Sequence, residues 1–454
     1  MIKAIEKALF GGNKRKDAVN TLNDILYGQL ANTNHVVWYN FRTREDYIKK
    51  GYAGNAQVYS IVKKILDKAK DAPLIVYEDK GEKSSTAYKR TKYSSDIVTK
   101  AISNVYRKKA LEFDTSSDLY NLLENPNDKY TMTDILYLLG IFYQTMGEAF
   151  LYRETADDSD IAVSLHVAPG NLMEPVYSND TDDIIEGWKL NLLNGYDRTL
   201  DAKDVFHFKM PNPIYDEAGS QLRGMSPLMA GGKYLLQSDK GIEGWVKALE
   251  NEGAKGLVAP KGNDPKLWLN PEQVEKTRNA LDKRIHGADN LHKIAVSGMP
   301  LEYHQIGLSP QALNIIEGLN FSDIKLCQLW NIHPVLFDPK PTYENLKNAQ
   351  LQLVTDVVIP YLNTLEQSLM KWLVEPFSIR DGKNYVIDFD TSGYVELKVN
   401  IETAVKLYEA GLITANEARG MLNWDDIDEE YADKLFVSQG KVPLSDYSND
   451  FFNG

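Results

Sequence analysis

The sequence predicts an α+β chain divided into more than one unit, and three features carry that prediction. At 454 residues it exceeds what one ordinary hydrophobic core supports. Apolar residues recur at helical spacing in several long segments, whereas residues 149–210 break into short strand-like runs between Asp, Asn, Pro and Gly turns. The second half carries two long helices with matching Ser-Pro starts.

In chain order, residues 1–10 are apolar but interrupted by Lys3, Glu6 and Lys7, which describes a short amphipathic helix rather than a signal-peptide core. Val58, Ile61, Val62, Ile65 and Ala69 share one face of a helix over about 55–69. Pro73 opens a strand, Leu74–Tyr77, and a polar, basic stretch follows over 78–95. A helix over 117–123 ends at Asn125-Pro126-Asn127, and a long apolar helix runs from Thr133, its expected N-cap, to Met146. Phe150–Tyr152, Ser164–Val167, Trp188–Leu193 and Val205–Phe208 read as strands, so residues 1–222 form a mixed α+β region with no chemical motif.

Ser226 then caps a helix whose first position, Pro227, needs no donor. Leu228, Leu235, Ile242 and Leu249 recur every seven residues, with Trp245 between them, a seam that expects a partner helix. Gly231, Gly232, Gly241 and Gly244 each cost about 1 kcal/mol in a helix interior. Close approach of neighbouring helices offsets that cost, and a kinked core helix in a monomer fits the same pattern. A turn-rich segment to about 306 holds strand candidates Gly256–Ala259 and Lys293–Val296 around a short helix, 271–285. Ser309-Pro310 opens the second helix, with Leu313, Ile316, Leu319, Ile324, Cys327 and Trp330, and His333-Pro334 stops it. Pro334, Pro339 and Pro341 stiffen the loop before a third helix, 344–373, where Pro360 predicts a kink. A strand, Tyr385–Asp390, and helices over 395–409 and 415–422 follow.

Composition narrows the function. The single cysteine, Cys327, excludes an intrachain disulfide framework and a Cys-based metal cage. No apolar run approaches the roughly 18 residues of a membrane span, so no membrane partner is expected. A net charge of −13 argues against a protein that grips nucleic acid through its phosphates, because such binding concentrates Lys and Arg. It leaves open one past which DNA slides. Gly231-Gly232-Lys233 lacks the spacing and hydroxyl of a phosphate-binding loop, and neither Gly-x-Ser-x-Gly nor His-Glu-x-x-His occurs. His286, His292 and His304 have no zinc spacing. The acidic clusters Asp157–Asp160, Asp180–Asp183 and Asp425–Glu430 read as solvated turns before divalent-cation sites. No catalytic residue, metal or cofactor is expected; the competing reading is a hydrolase or transferase built from scattered carboxylates and histidines.

Five segments, in this order, resemble the portal (connector) proteins of long-tailed phages. Arg223-Gly224-Met225-Ser226-Pro227-Leu228 is similar to that family's Gly-x-Ser-Pro-Leu start of a long helix, after a strand matched by Asp204–Phe208 with His207. Trp330–Phe337 is similar to an apolar segment with two prolines, although His333 stands where Pro is common. Thr342-Tyr343-Glu344-Asn345 resembles a Tyr-x-Asn step and Val358-Ile359-Pro360 a Leu-x-Pro kink. Gly411–Arg419 matches Gly-x-x-Thr-x-Asn-Glu-x-Arg through Thr414, Asn416, Glu417 and Arg419, of which Thr414-x-x-Glu417 is also an ordinary capping box.

The resemblance implies a portal fold. Its mixed α/β wing would be residues 1–222, with stem helices at 223–252 and 307–333 flanking a small α/β clip at 253–306. A tunnel loop, kinked long helix and wing return would occupy 334–394, a helical crown 395–437 and a flexible tail 438–454. It implies a non-enzymatic ring of twelve copies in the virion, at one capsid vertex, assembled in the host bacterial cytoplasm. Double-stranded DNA would pass through without sequence recognition. The implied partners are the large terminase, the head–tail adaptor, and the major capsid and scaffold proteins. Ser226, Gly231, Gly232, Leu235, Ile242, Ser309, Leu313 and Ile316 would pack the stem. Lys340 would meet phosphate and Tyr343 line the lumen, although Lys340 reads equally as an exposed residue between two prolines.

Overall fold

The computed structural model describes residues 43–436 apart from 82, 95, 157–158, 179–183, 193–196, 217–218, 252–256, 261–269, 273–274, 277–278, 280–300, 305–314 and 423. The N-terminal amphipathic segment, the 293–296 strand, Ser309, Leu313 and the 438–454 tail lie outside the described residues. The chain divides into two compact units, one running to Gly232 and resuming at Cys327, the other Lys233–Leu326.

The first unit opens with a helical turn, Arg44–Asp46, and a π-helical segment, Tyr47–Tyr52. Helix α1, Ala56–Ala69, follows; the Asn55 side chain accepts from the amides of Gln57 and Val58 and caps it. Its apolar stripe is buried as its spacing predicts. Strand β1 is Leu74–Asp79. The basic stretch after it, which carries no apolar period, forms α2, Lys83–Thr91, and is followed by α3, Ile97–Ala110, and β2, Leu111–Phe113. The inner face of α3 includes Lys100, Ser103 and Arg107, so polar residues sit where the period would need apolar ones. Helix α4, Asp118–Glu124, precedes α5, Met132–Met146. Thr131, not Thr133, caps α5, because only Thr131 has an acidic partner three residues on, Asp134, to complete a capping box.

The strands are β3, Glu148–Thr155; β4, Ala162–Ala168; β5, Met173–Tyr177; β6, Ile185–Leu190; β7, Arg198–Asp201; and β8, Val205–Lys209. They form two antiparallel sheets, ordered β4-β3-β8 and β5-β6-β7. Phe150, Met173, Trp188, Leu200 and Val205 make a shared core between them. Helix α6, Pro227–Asn251, runs across the boundary of the units. In the second unit β9, Leu257–Pro260, pairs antiparallel with β10, Leu301–His304, and α7, Ile315–Leu329, starts beyond them.

Back in the first unit, the third long helix is a relay: α8, Tyr343–Gln352; a π-helical stretch, Leu353–Val358; α9, Ile359–Leu369; a second π stretch, Met370–Val374; and α10, Glu375–Asp381. Pro360 falls in the first turn of α9 just past the wide π turn, where its missing amide is tolerated. The helix therefore continues beyond residue 373 to Gly382, whose φ of 65° ends it. Strand β11, Tyr385–Phe389, adds to β1 with Val76 opposite Ile387, giving the antiparallel order β11-β1-β2. Helices α11, Ile401–Glu409, and α12, Ala415–Met421, share a core with α3 through Ala101, Val105, Val399, Ile413 and Met421. The start expected at 395 is instead a 3-10 turn, and Asn400 caps α11. Among the described residues no helix is long and apolar enough to cross a membrane.

Candidate functional site

The start of α6 is fastened by a charge cluster that joins Arg223, Gly224 and His207 of the quoted segments to Glu148 and Arg44, which no motif announces. The Glu148 side chain is 0% exposed and meets Arg44, Arg223 (Nη2 at 2.7 Å) and His207 (Nε2 at 3.0 Å). It also accepts from the Gly224 amide at 2.9 Å. Burial alone would raise this carboxyl, but the guanidiniums of Arg223 and Arg44 hold it well below the usual range. Burial lowers His207, against its hydrogen bond to Glu148. The ionised Glu148 can only accept, so Nε2 of His207 is the donor in their bond. Burial likewise lowers Arg44, to about 10, with Arg223 adding to the effect. Arg223 further donates to the Met173 carbonyl at 2.9 Å and lies over the rings of Phe150 and Trp188.

Gly224 is required here, because a Cβ on it would stand 2.0 Å from the Gly147 carbonyl oxygen. Ser226 Oγ donates to the Thr145 carbonyl and accepts from the Leu228 amide at 3.1 Å, so it caps α6 while tying it to α5. A Cβ on Gly231 would stand 2.1 Å from Leu329 of α7, and one on Gly241 2.7 Å from Leu319. The close approach that these glycines permit is thus accounted for within one chain rather than by a neighbour. Gly232 is buried, whereas Gly244 faces open space. Leu228 and Leu235 are buried, but Ile242 in the same seam is 48% exposed. Ile316 lies in α7.

The proline loop is built for exposure. His333, in place of the common proline, accepts through Nδ1 from the Val335 amide and starts a 3-10 turn, Pro334–Phe337. Asp338 Oδ1 accepts from the Lys340 amide at 2.8 Å, and Thr342 caps α8. Lys340 is exposed and Tyr343 is 84% exposed. Exposed Asp338, Lys340, Glu344 and Lys347 alternate in sign, so this surface carries no net charge.

The Thr414–Arg419 motif organises the chain beyond α12. Thr414 and Glu417 form a capping box, and Glu417 pairs with Lys109 at 3.0 Å. Asn416 holds Ile427 from both sides, donating to its carbonyl and accepting from its amide at 2.8 Å, and reaches Asp433 at 3.1 Å. Arg419 donates to the Asp425 carbonyl and covers the Trp424 ring. A second cluster, unannounced in sequence, joins α2, α3, α9 and β11. Asp388 meets Tyr88 at 2.7 Å, Arg107 at 3.2 Å and Lys92 at 3.5 Å, and Lys92 also contacts Glu366. Asp388 keeps its charge because Lys92 and Arg107 outweigh its burial, whereas burial pushes Glu366 up to about 7.

One constellation of hydrolase type is present, on the β4-β3 face. Ser164 Oγ lies 3.0 Å from His166 Nε2 and donates to Glu154 at 2.9 Å. The carboxylate bonds the hydroxyl itself instead of the far ring nitrogen of the histidine, so it does not orient a base. Glu154 is also exposed. Among the described residues no His, Cys, Asp or Glu group could hold a metal ion.

This fold, small antiparallel sheets with long helices, occurs in solved gene transfer agent particles. A chain in the neck of a native gene transfer agent particle, computed with C12 symmetry, superposes with a TM-score of 0.59 at 20% identity, covering 90% of this chain and 99% of that one. The neck of an empty particle, computed with C6 symmetry, gives 0.59 at 20% identity over 87% and 96%. Residues 85–423 match the phage portal protein family, and the chain belongs to it. An uncharacterized protein of Rickettsia bellii (strain RML369-C) is 22% identical over 326 residues, 70% of this chain and 80% of the relative. Another, of Rickettsia felis (strain ATCC VR-1525 / URRWXCal2), is 25% identical over 265 residues, 58% and 64% of the two chains.

Proposed function

We propose that this protein forms a ring of twelve copies at one capsid vertex and serves as the channel for packaging and ejecting double-stranded DNA. The observation that carries the ring is an uncovered apolar surface on the second unit. Ile242 and Val246 of α6, and Phe321 and Ile324 of α7, are all between 42% and 49% exposed. Such surface is costly in water and is covered when copies pack side by side around an axis. Family membership and the C12 neck assembly support the same reading. In the ring, Lys340 and Tyr343 face the lumen, where balanced charge suits a surface that must release what passes. The large terminase and the head–tail adaptor dock on the assembled ring, which the capsid and scaffold proteins receive.

Mass photometry tests the ring: a species near twelve times 51.4 kDa is expected, with a central hole by negative stain. A monomer at every concentration, including with scaffold present, overturns it. Ile242→Glu with Phe321→Glu should dissociate the ring while each protomer stays folded. For the channel, Tyr343→Ala should assemble normally yet lower the DNA content of particles.

A further inference from the structure

The first unit contains a cavity of about 270 Å³ between α1, α5 and α9. Its walls include the buried side chains of Leu66, Leu123, Met132, Leu362, Leu365 and Phe389, and Lys70 and Glu124 stand exposed at its mouth. A dry cavity of about 150 Å³ already accepts benzene, so this one has room for a substituted ring.

Lys70, Glu124, Thr131, Thr133 and Tyr137 also line the pocket, and one further polar group there is not satisfied by the fold. Tyr361 of α9 lines the cavity and is only 8% exposed. Its ring packs on Tyr143 and Phe208, but its hydroxyl makes no hydrogen bond among the described residues. The hydroxyl reaches α5 one turn beyond Leu136, lying 2.9 Å from where a Cβ on Gly140 would stand. Tyr137 on the same wall differs, because its hydroxyl is held by Asp67 at 3.2 Å. Buried hydroxyls normally have partners, so one left without a partner at a pocket wall can be completed by a bound molecule.

We infer that this cavity is a binding site for a small, mainly apolar molecule that presents one hydrogen-bond acceptor to the Tyr361 hydroxyl. An aromatic or alicyclic ring fills the leucine-rich walls, and a carbonyl or ether oxygen takes the phenolic proton. The site depends on the geometry of one protomer and not on the portal reading.

Acetophenone and ethylbenzene are matched probes, since one carries a carbonyl where the other has a methylene. Saturation-transfer NMR on the full chain should show both entering, with acetophenone preferred about fivefold, the worth of one hydrogen bond. Tyr361→Phe should abolish that preference by weakening acetophenone alone. Leu136→Trp, at a half-buried wall position, should fill the cavity and remove both signals while the melting temperature is kept. The inference is overturned if neither probe takes up saturation, if Tyr361→Phe leaves the preference intact, or if acetophenone binding survives Leu136→Trp.

Discussion

Replacing Glu148 by Gln keeps the shape of the side chain but removes the one negative charge that Arg44 and Arg223 share. Glu148 is fully buried and its partners are mostly so, with Arg44 28% and Arg223 11% exposed, so water cannot take over the lost role. Breaking a buried pair by removing one partner costs about 3–5 kcal/mol, because the remaining charge stays uncompensated. Two guanidiniums are stranded here, which places the expected loss in that range. The unit is large, so about 2 °C per kcal/mol applies and the melting temperature should fall by about 6–10 °C. Urea denaturation at pH 7 and fixed protein concentration measures the loss directly. Lys49→Gln, which removes an exposed pair with Glu45, is the control and should cost under about 1 kcal/mol. A loss of under about 1 kcal/mol for Glu148→Gln would refute the reasoning, since the cluster would then be no stronger than a surface pair.

The pH profile follows from the same groups. His207 titrates lower when folded than its ordinary 6.5, so the unfolded chain binds that proton first and stability falls as pH drops below 6.5. Glu148, held below its ordinary 4.5, adds a further loss below that pH, which Glu148→Gln should lack. Glu366 has the opposite sign. Its folded value of about 7 lies above 4.5, so its contribution is complete below 4.5 and lost as pH rises through 7. The stability of the native protein minus that of Glu366→Gln should drop by about 1 kcal/mol from pH 6 to 7 in parallel denaturation curves. Gly231→Val and Gly244→Ala should move stability in opposite directions. The first forces Leu329 aside at a cost of about 1–3 kcal/mol, and the second gains up to about 1 kcal/mol in open space. Asn416→Ala should accelerate hydrogen exchange at the Ile427 amide and cost about 1–3 kcal/mol, because three bonds end on that side chain.

Much of the framework is legible in the sequence, because it depends on neighbours a few residues away. The α1 stripe, the Ser226 cap, the His333-Pro334 stop and the Thr414–Glu417 box each join groups within four residues, and each forms where its spacing places it. The ordered motifs from Arg223 to Arg419 likewise sufficed for the family. The misplaced cap at Thr133 and the missed helices α2 and α3 have two causes. Local chemistry offered a competing signal, or buried charge replaced the apolar residues that mark a period.

What only the tertiary structure decided is where charge is buried. Glu148 finds Arg223 75 residues away, Lys92 finds Glu366 at 274, and Tyr88 finds Asp388 at 300. No local pattern distinguishes these side chains from solvated ones. An ionised group is tolerated in a dry core only when partners arrive from other elements, and that arrival is a property of the fold.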